Sequence, residues 1–233
     1  MSVDAVLFDL DGTLVDTAPE FVAVVNQLLH ENAREPLAEE LIRNCVSNGS
    51  RALVTLAFGF AEQHAGFDPM RLRLLELYES ELGTHSILFA GMQQLLDALQ
   101  RDNIRWGIVT NKPSRYAIPL IERMGLKPTN DVIICPDHVK QSKPHPEPMY
   151  LAAKKLDCLP ARTLYVGDHL RDIQAGRNAG MRTIAALYGY IEEAEDPAGW
   201  NADYSVTSAS EIYPIIQSLR SNEGFSTKGT GHV

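Results

Sequence analysis

The sequence predicts an α/β fold, a doubly wound (Rossmann-like) parallel sheet core with an inserted all-helical segment. Three observations lead there. Short, continuous apolar runs recur at residues 5–8 (AVLF), 106–109 (WGIV), 132–135 (VIIC), 163–166 (TLYV) and 183–187 (TIAAL), which is the pattern of parallel strands buried on both faces. Helical patterns separate the last four runs, at residues 114–124, 147–156 and 170–179, so strand alternates with helix as in βαβ units. Residues 16–88 break that alternation, because they show helical periodicity and no strand-like run.

Taken in chain order, the first strand runs directly into Asp9-Leu10-Asp11-Gly12-Thr13. Carboxylates are depleted in strands, and two of them this close repel unless something compensates them. The helical segment opens at Thr17-Ala18-Pro19-Glu20, where an N-cap Thr with Glu three residues on predicts a capping box. Phe21, Val24, Val25, Leu28 and Leu29 follow on one apolar face. Further helices are expected at residues 38–46, 51–64 and 69–83. Residues 16–88 are therefore expected to form a separate cap domain, reached by linkers at residues 14–16 and 86–90, with residues 1–15 and 89–220 forming the core. Pro119 falls inside the 114–124 pattern and predicts a kink or a later helix start. Residues 221–233, rich in Ser, Gly and Thr, are expected to be a disordered tail.

Composition narrows the function classes. The formal net charge is −9 and no Lys/Arg stripe stands out, so nucleic acid is not an expected partner. Cys45, Cys135 and Cys158 are odd in number and lack a C-x-x-C spacing, which supports neither a disulfide framework nor a zinc site and points to a reduced, cytoplasmic setting. His138, His145 and His169 match no zinc pattern either. Asp4 and the lack of a basic segment before the first apolar run give no secretion signal. No apolar run approaches the ~18 residues of a membrane span.

Doubly wound sheets bind ligands outside the carboxyl ends of their strands. The polar residues at those ends are Asp9 and Asp11, then Thr110, Asn111 and Lys112, then Lys143 in the following loop, then Asp168 and Asp172. So much negative charge in one place calls for a hard divalent cation with oxygen ligands, and Mg²⁺ is the natural one. Carboxylates at i and i+2 point to one side, where one can attack phosphorus while its neighbour handles protons. Gly12 allows the backbone to turn, and Thr13 can offer a hydroxyl or amide to phosphate oxygens. Phosphoryl transfer chiefly demands positioning and charge neutralisation. The expected chemistry is phosphomonoester hydrolysis through an aspartyl phosphate.

The stretches DLDGT (9–13), VTNKP (109–113), SKPHPE (142–147) and GDHLRD (167–172) resemble the four ordered motifs of the haloacid dehalogenase superfamily, and the helical insert resembles its C1-type cap. The likeness runs from about residue 4 to residue 220. It implies Asp9 as nucleophile and Asp11 as general acid and then base, with Thr110, Asn111 and Lys143 binding substrate, the phosphate above all. It also implies a Mg²⁺ site at Asp168, to which Asp9 gives a carboxylate and Asp11 a backbone carbonyl, with Asp172 orienting it. His169 departs from the Ser that relatives often carry there. The phrases WGIVTNKP, CPDHVKQSKPHPEP, VGDHLRDIQAGRNAG and YGYI resemble the phosphoglycolate phosphatase group, in particular its bacterial branch that dephosphorylates N-acetylmuramic acid 6-phosphate in cell-wall sugar recycling.

Arg51, in the polar loop Ser47-Asn48-Gly49-Ser50-Arg51, reads either as a solvated helix-start charge or as a cationic substrate contact like those of similar cap loops. The expected partner is a small phosphorylated metabolite, and the chain is expected to act as a monomer or weak homodimer. A sugar phosphomutase of the same fold shares every core motif. A receiver-type phosphoacceptor module would place its aspartate after a later strand and lack the helical insert.

Overall fold

The computed structural model describes residues 3–192 and 194–221 of the 233-residue chain. β1 (Ala5–Phe8) leads to a two-residue strand β2 (Val15–Asp16), after which come α1 (Ala18–Glu31), α2 (Glu39–Cys45), α3 (Gly49–Phe58) and α4 (Phe67–Glu81). β3 (Ile87–Leu88) closes this helical segment by pairing antiparallel with β2. The chain then alternates through α5 (Met92–Arg101), β4 (Arg105–Val109), α6 (Ser114–Arg123), β5 (Ile133–Ile134), α7 (Glu147–Lys155), β6 (Thr163–Gly167), α8 (Leu170–Asn178), β7 (Arg182–Ala186), β8 (Tyr204–Val206) and α9 (Ile212–Ser221).

The main sheet is parallel throughout, in the order β5-β4-β1-β6-β7-β8. Strand alternation sends Val6 and Phe8 to one face and Ala5 and Leu7 to the other. Val6 and Phe8 share a buried cluster with α5, α6 and α9, whereas Ala5 and Leu7 pack with α7 and α8. Helices on both faces make the sheet doubly wound. The chain order reverses at β1, which has β4 on one side and β6 on the other, and their register sets Phe8 opposite Ile108 and Val166. Asp9, Thr110 and Asp168 therefore emerge together at the switch point, where such sheets bind ligands.

In α1 the expected apolar face is buried: Phe21, Val24, Val25, Leu28 and Leu29 all lie in the interior, and Phe21 stacks on Tyr78 of α4 at 4.3 Å between ring centroids. Burying each such side chain contributes about 1.5–3 kcal/mol. The helical segment thus has apolar packing of its own, and its cluster is continuous with that of the sheet.

Several local expectations change. The helix carrying Pro119 starts at Ser114 after all, because the amides of Tyr116 and Ala117 already bond to the Pro113 carbonyl. Proline removes only the bond that would reach the carbonyl of Arg115, an exposed residue where water can replace it. The capping box at Thr17 does not form: the Thr17 hydroxyl donates to Asp11, and Glu20 turns instead to the returning chain. Elements β2, β3, α5, β8 and α9 lie outside the strands and helices that the sequence pattern predicts. β8 is a three-residue edge strand with only Val206 buried, too short for a periodicity. The tail expected at residues 221–233 lies, beyond Ser221, outside the described residues. Among the described residues no helix is long and apolar enough to cross a membrane.

Candidate active site

Residues 10–15 fold into a compact loop in which the Leu14 and Val15 amides donate to the Leu10 carbonyl and the Gly12 amide donates to the Val15 carbonyl. Gly12 has φ +80°, and a Cβ there would stand 2.1 Å from Asp168 Oδ2. Glycine is required twice over, for the turn and for the approach of the Asp168 carboxylate. A Cβ on Gly189 would likewise fall 2.3 Å from the Asp168 Cβ, so Asp168 is cradled between two glycines.

Asp9, Asp168 and Asp172 bring carboxylate oxygens within 4.8 Å of one another, and all three residues are buried. Lys143, 3% exposed, places its ammonium 2.9 Å from Asp9 and 2.7 Å from Asp172, and also donates to the Val109 carbonyl and the Tyr165 hydroxyl. Burial pushes the Lys143 pKa down, but Asp172 and Asp9 outweigh it and hold the ammonium above its ordinary range. Asp168 has no such cation among the described residues. It accepts from the Thr13 hydroxyl, the Tyr190 amide and the Ser47 hydroxyl at 3.0, 2.9 and 3.3 Å. Burial raises Asp168 to about 8, with Asp9 and Asp172 adding to it. Asp9 is raised by burial to about 6, Lys143 opposing and Asp172 adding. One ammonium among three buried carboxylates leaves negative charge uncompensated, and the donor set is oxygen alone. That set fits a hard divalent cation such as Mg²⁺.

The two carboxylates of the first motif are engaged on one oxygen each. Asp9 Oδ1 accepts from the Leu10 amide and from Lys143; Asp11 Oδ1 accepts from Thr17 Oγ1 at 2.6 Å and Lys112 Nζ at 2.8 Å. Among the described residues, Oδ2 of both has no hydrogen-bond partner. The motif resemblance gives Lys112 no role, yet its ammonium is sequestered beside Asp11 and over the rings of Tyr78 and Phe21. Its burial depends on rings from the distant helical segment, which local sequence does not reveal.

Both carboxylates line a cavity of about 170 Å³, more than ten times the space one water needs. Its floor is Asp9, Asp11, Thr110, Asn111, Lys112, Pro113, Tyr116 and Arg171. The roof comes from the helical segment, from Phe21, Val46, Ser47, Gly49, Ser50, Arg71, Leu75 and Tyr78. Thr110 is on the floor, its hydroxyl accepting from the Lys112 amide. Asn111 reaches the floor too, but its amide is committed to Lys143, donating to that residue's carbonyl and accepting from its amide at 3.0 and 3.2 Å. Through these two bonds its side chain supports the Lys143 backbone. Asp172 accepts from His169 N–H and Tyr165 O–H while facing Lys143. His169 serves as the N-cap of α8, which accounts for a side chain able to accept a hydrogen bond at that position.

Arg51 is not brought to this cavity. It lies on the outer side of α3 and pairs with Glu62 at 2.7 Å, both side chains more than half exposed. The cationic side chain that the helical segment does present is Arg71, which shares a helix face with Leu75 and Tyr78 at i, i+4 and i+7. In the sequence Arg71-Leu72-Arg73 nothing separates it from Arg73, which pairs with Glu31 and Glu76 on the surface.

Comparison with known proteins agrees with the motifs. Residues 6–186 match the family model of haloacid dehalogenase-like hydrolases. An N-acetylmuramic acid 6-phosphate phosphatase of Pseudomonas putida is 47% identical over 218 residues, covering 94% of this chain and 98% of its own. A phosphoglycolate phosphatase of Xanthomonas campestris is 39% identical over 209 residues, covering 90% and 94%. Among solved structures, a predicted phosphoglycolate phosphatase from Haemophilus somnus superposes with a TM-score of 0.78 at 26% identity, covering 92% of this chain and 98% of that one. With the match spanning the sheet and all four motifs, the chain belongs to the haloacid dehalogenase-like hydrolase family, as an enzyme of its phosphatase branch.

Proposed function

We propose that this enzyme is a Mg²⁺-dependent phosphomonoester hydrolase that acts on a small phosphorylated metabolite through an aspartyl phosphate on Asp9. The observation that carries this reading is the pair Asp9 and Asp11 on the floor of one cavity, each with an Oδ2 that has no hydrogen-bond partner among the described residues, and behind them a buried lysine and two further carboxylates. Asp9, Asp168 and the backbone carbonyl of Asp11 would hold the cation, with Asp172 orienting the site. The ion supplies charge neutralisation for the phosphoryl oxygens.

In the first half-reaction Asp9 Oδ2 attacks phosphorus, the bond from phosphorus to the ester oxygen breaks, and Asp11 gives its proton to the departing alcohol. Asp11 then takes a proton from water, the water oxygen attacks the phosphoryl group, and the bond to Asp9 breaks, returning the carboxylate and releasing inorganic phosphate. Thr110 and Lys143 steady the phosphoryl group and its charge. Thr17 and Lys112 fix the Asp11 carboxylate, so its orientation is set partly from the N-cap of α1 in the helical segment.

Residues 16–88 act as a mobile cap on the β2–β3 ribbon, and closure excludes bulk water from the reaction. The leading substrates are N-acetylmuramic acid 6-phosphate and 2-phosphoglycolate, the compounds named for the relatives above. The test is phosphate release from both, and from hexose phosphates, with and without Mg²⁺. Release that requires Mg²⁺ and no bisphosphate activator is the expected result; no release from any of them overturns the reading.

A further inference from the structure

The cations around the cavity differ in one respect. Lys112 is paired with Asp11, and Lys143, behind the floor, with Asp9 and Asp172. In the helical segment Arg43, Arg51 and Arg73 pair with Asp16, Glu62 and Glu31. Arg71, which faces the cavity from α4, makes no ion pair among the described residues. Its Nε donates to Ser50 Oγ at 3.1 Å, which leaves the two terminal nitrogens of the guanidinium for another partner. Opposite, on the first turn of α8, Arg171 also lacks a carboxylate partner among the described residues and donates to the Ser47 carbonyl. Both side chains are half-buried. The hydroxyl of Tyr116, a residue lining the same cavity, is buried without a hydrogen-bond partner among the described residues. Phe21, Val46, Leu75 and Tyr78 make the rest of the roof largely apolar.

A half-buried guanidinium with its terminal nitrogens open toward the cavity is placed to bind an anion, and its planar fork matches a carboxylate in two hydrogen bonds. We propose that Arg71, seconded by Arg171 across the cavity, is the subsite for a carboxylate on the leaving group, so that substrates carry an anion at each end. This rests on the phosphatase reading and sharpens it. The two leading substrates are unlike in size and skeleton, but both bear a carboxylate besides the phosphate. A carboxylate lodged between an arginine of the helical segment and one of the core would also hold the cavity closed.

The test compares ligands that differ in the carboxylate: 2-phosphoglycolate against ethyl phosphate, and N-acetylmuramic acid 6-phosphate against N-acetylglucosamine 6-phosphate. Affinities are measured by titration calorimetry with Mg²⁺ on the Asp9→Asn protein, where no turnover is needed. At least one carboxylated ligand is expected to bind about 10- to 100-fold tighter than its counterpart, the range for a charge-assisted hydrogen-bonded pair. Arg71→Gln should collapse that ratio toward one and Arg71→Lys should keep part of it, which separates lost recognition from a damaged fold. The ratio of kcat/KM values in the unblocked enzyme should move in parallel. No preference in either pair, or a preference that survives Arg71→Gln, overturns the proposal. A wild-type enzyme that releases no phosphate from any compound tells against the phosphatase reading instead, and the calorimetric ratio still decides the subsite.

Discussion

The floor and the roof of the cavity are built on opposite principles. On and just behind the floor, Lys112 is paired to Asp11 and Lys143 to Asp9 and Asp172 at 2.7–2.9 Å, and these groups are locked by backbone amides and Tyr165. The roof is mostly apolar and offers Arg71 without a carboxylate partner among the described residues. A charge network buried this tightly is costly to alter, because removing one member strands the others. Roof side chains outside that network, such as Val46, Arg71 and Leu75, can change without disturbing it, whereas Phe21 and Tyr78 touch Lys112 and Ser47 touches Asp168. On the function proposed above, this contrast would keep one chemistry while the leaving group is chosen elsewhere.

Breaking the floor should therefore cost far more than anything done to the segment above it. Asp9→Asn is expected to lower turnover by on the order of 10⁴-fold or more, while circular dichroism shows the fold retained. Metal removal comes next: chelation should stop turnover and added Mg²⁺ restore it. At 100 times its Kd, Mg²⁺ should stabilise the protein by about 2.7 kcal/mol, a gain that Asp168→Asn should erase in thermal melts. Lys143→Met leaves Asp9 and Asp172 facing each other without a counterion, and chemical denaturation should show a loss of about 3–5 kcal/mol.

The junction between the two regions gives smaller effects. Glu20 is fully buried, and its Oε1 accepts from the amides of His85 and Ser86 and from the Ser86 hydroxyl, clasping the returning chain to the start of α1. Glu20→Ala should cost about 1–3 kcal/mol of stability, read from the urea midpoint, by stranding those donors. Thr17→Val removes one hydrogen bond to Asp11. It should lower kcat by about fivefold, the equivalent of ~1 kcal/mol. A larger loss of kcat from Thr17→Val than from Lys143→Met would show that the site depends on the junction more than on the floor.

Sequence and structure agree best where the signal is short-range. The first strand could be read to the residue because an apolar run ends abruptly in Asp9-Leu10-Asp11-Gly12-Thr13, and parallel pairing then carries Thr110 and Asp168 to the same edge. Helical α5 went unread although Met92, Leu95, Leu96 and Leu99 keep a helical spacing. The missed site groups fail for another reason, since their roles arise from contacts across the chain. Lys112 is sequestered by rings of α1 and α4, Glu20 serves a segment 65 residues on, and Tyr190 joins Asp168 through its amide to Asp16 through its hydroxyl. Arg51 was attractive as the cation of a polar loop, but helical geometry turns it outward to Glu62 and gives the cavity Arg71.

The central claim is that the floor performs the chemistry through Asp9. Rapid acid quench of the Mg²⁺-loaded enzyme during turnover, followed by mass spectrometry of its peptides, tests it most directly. The account predicts one phosphoryl group on the peptide containing Asp9, absent from the Asp9→Asn protein. Steady phosphate release with no phosphoryl group on Asp9 at any quench time, and undiminished release from Asp9→Asn, would contradict it.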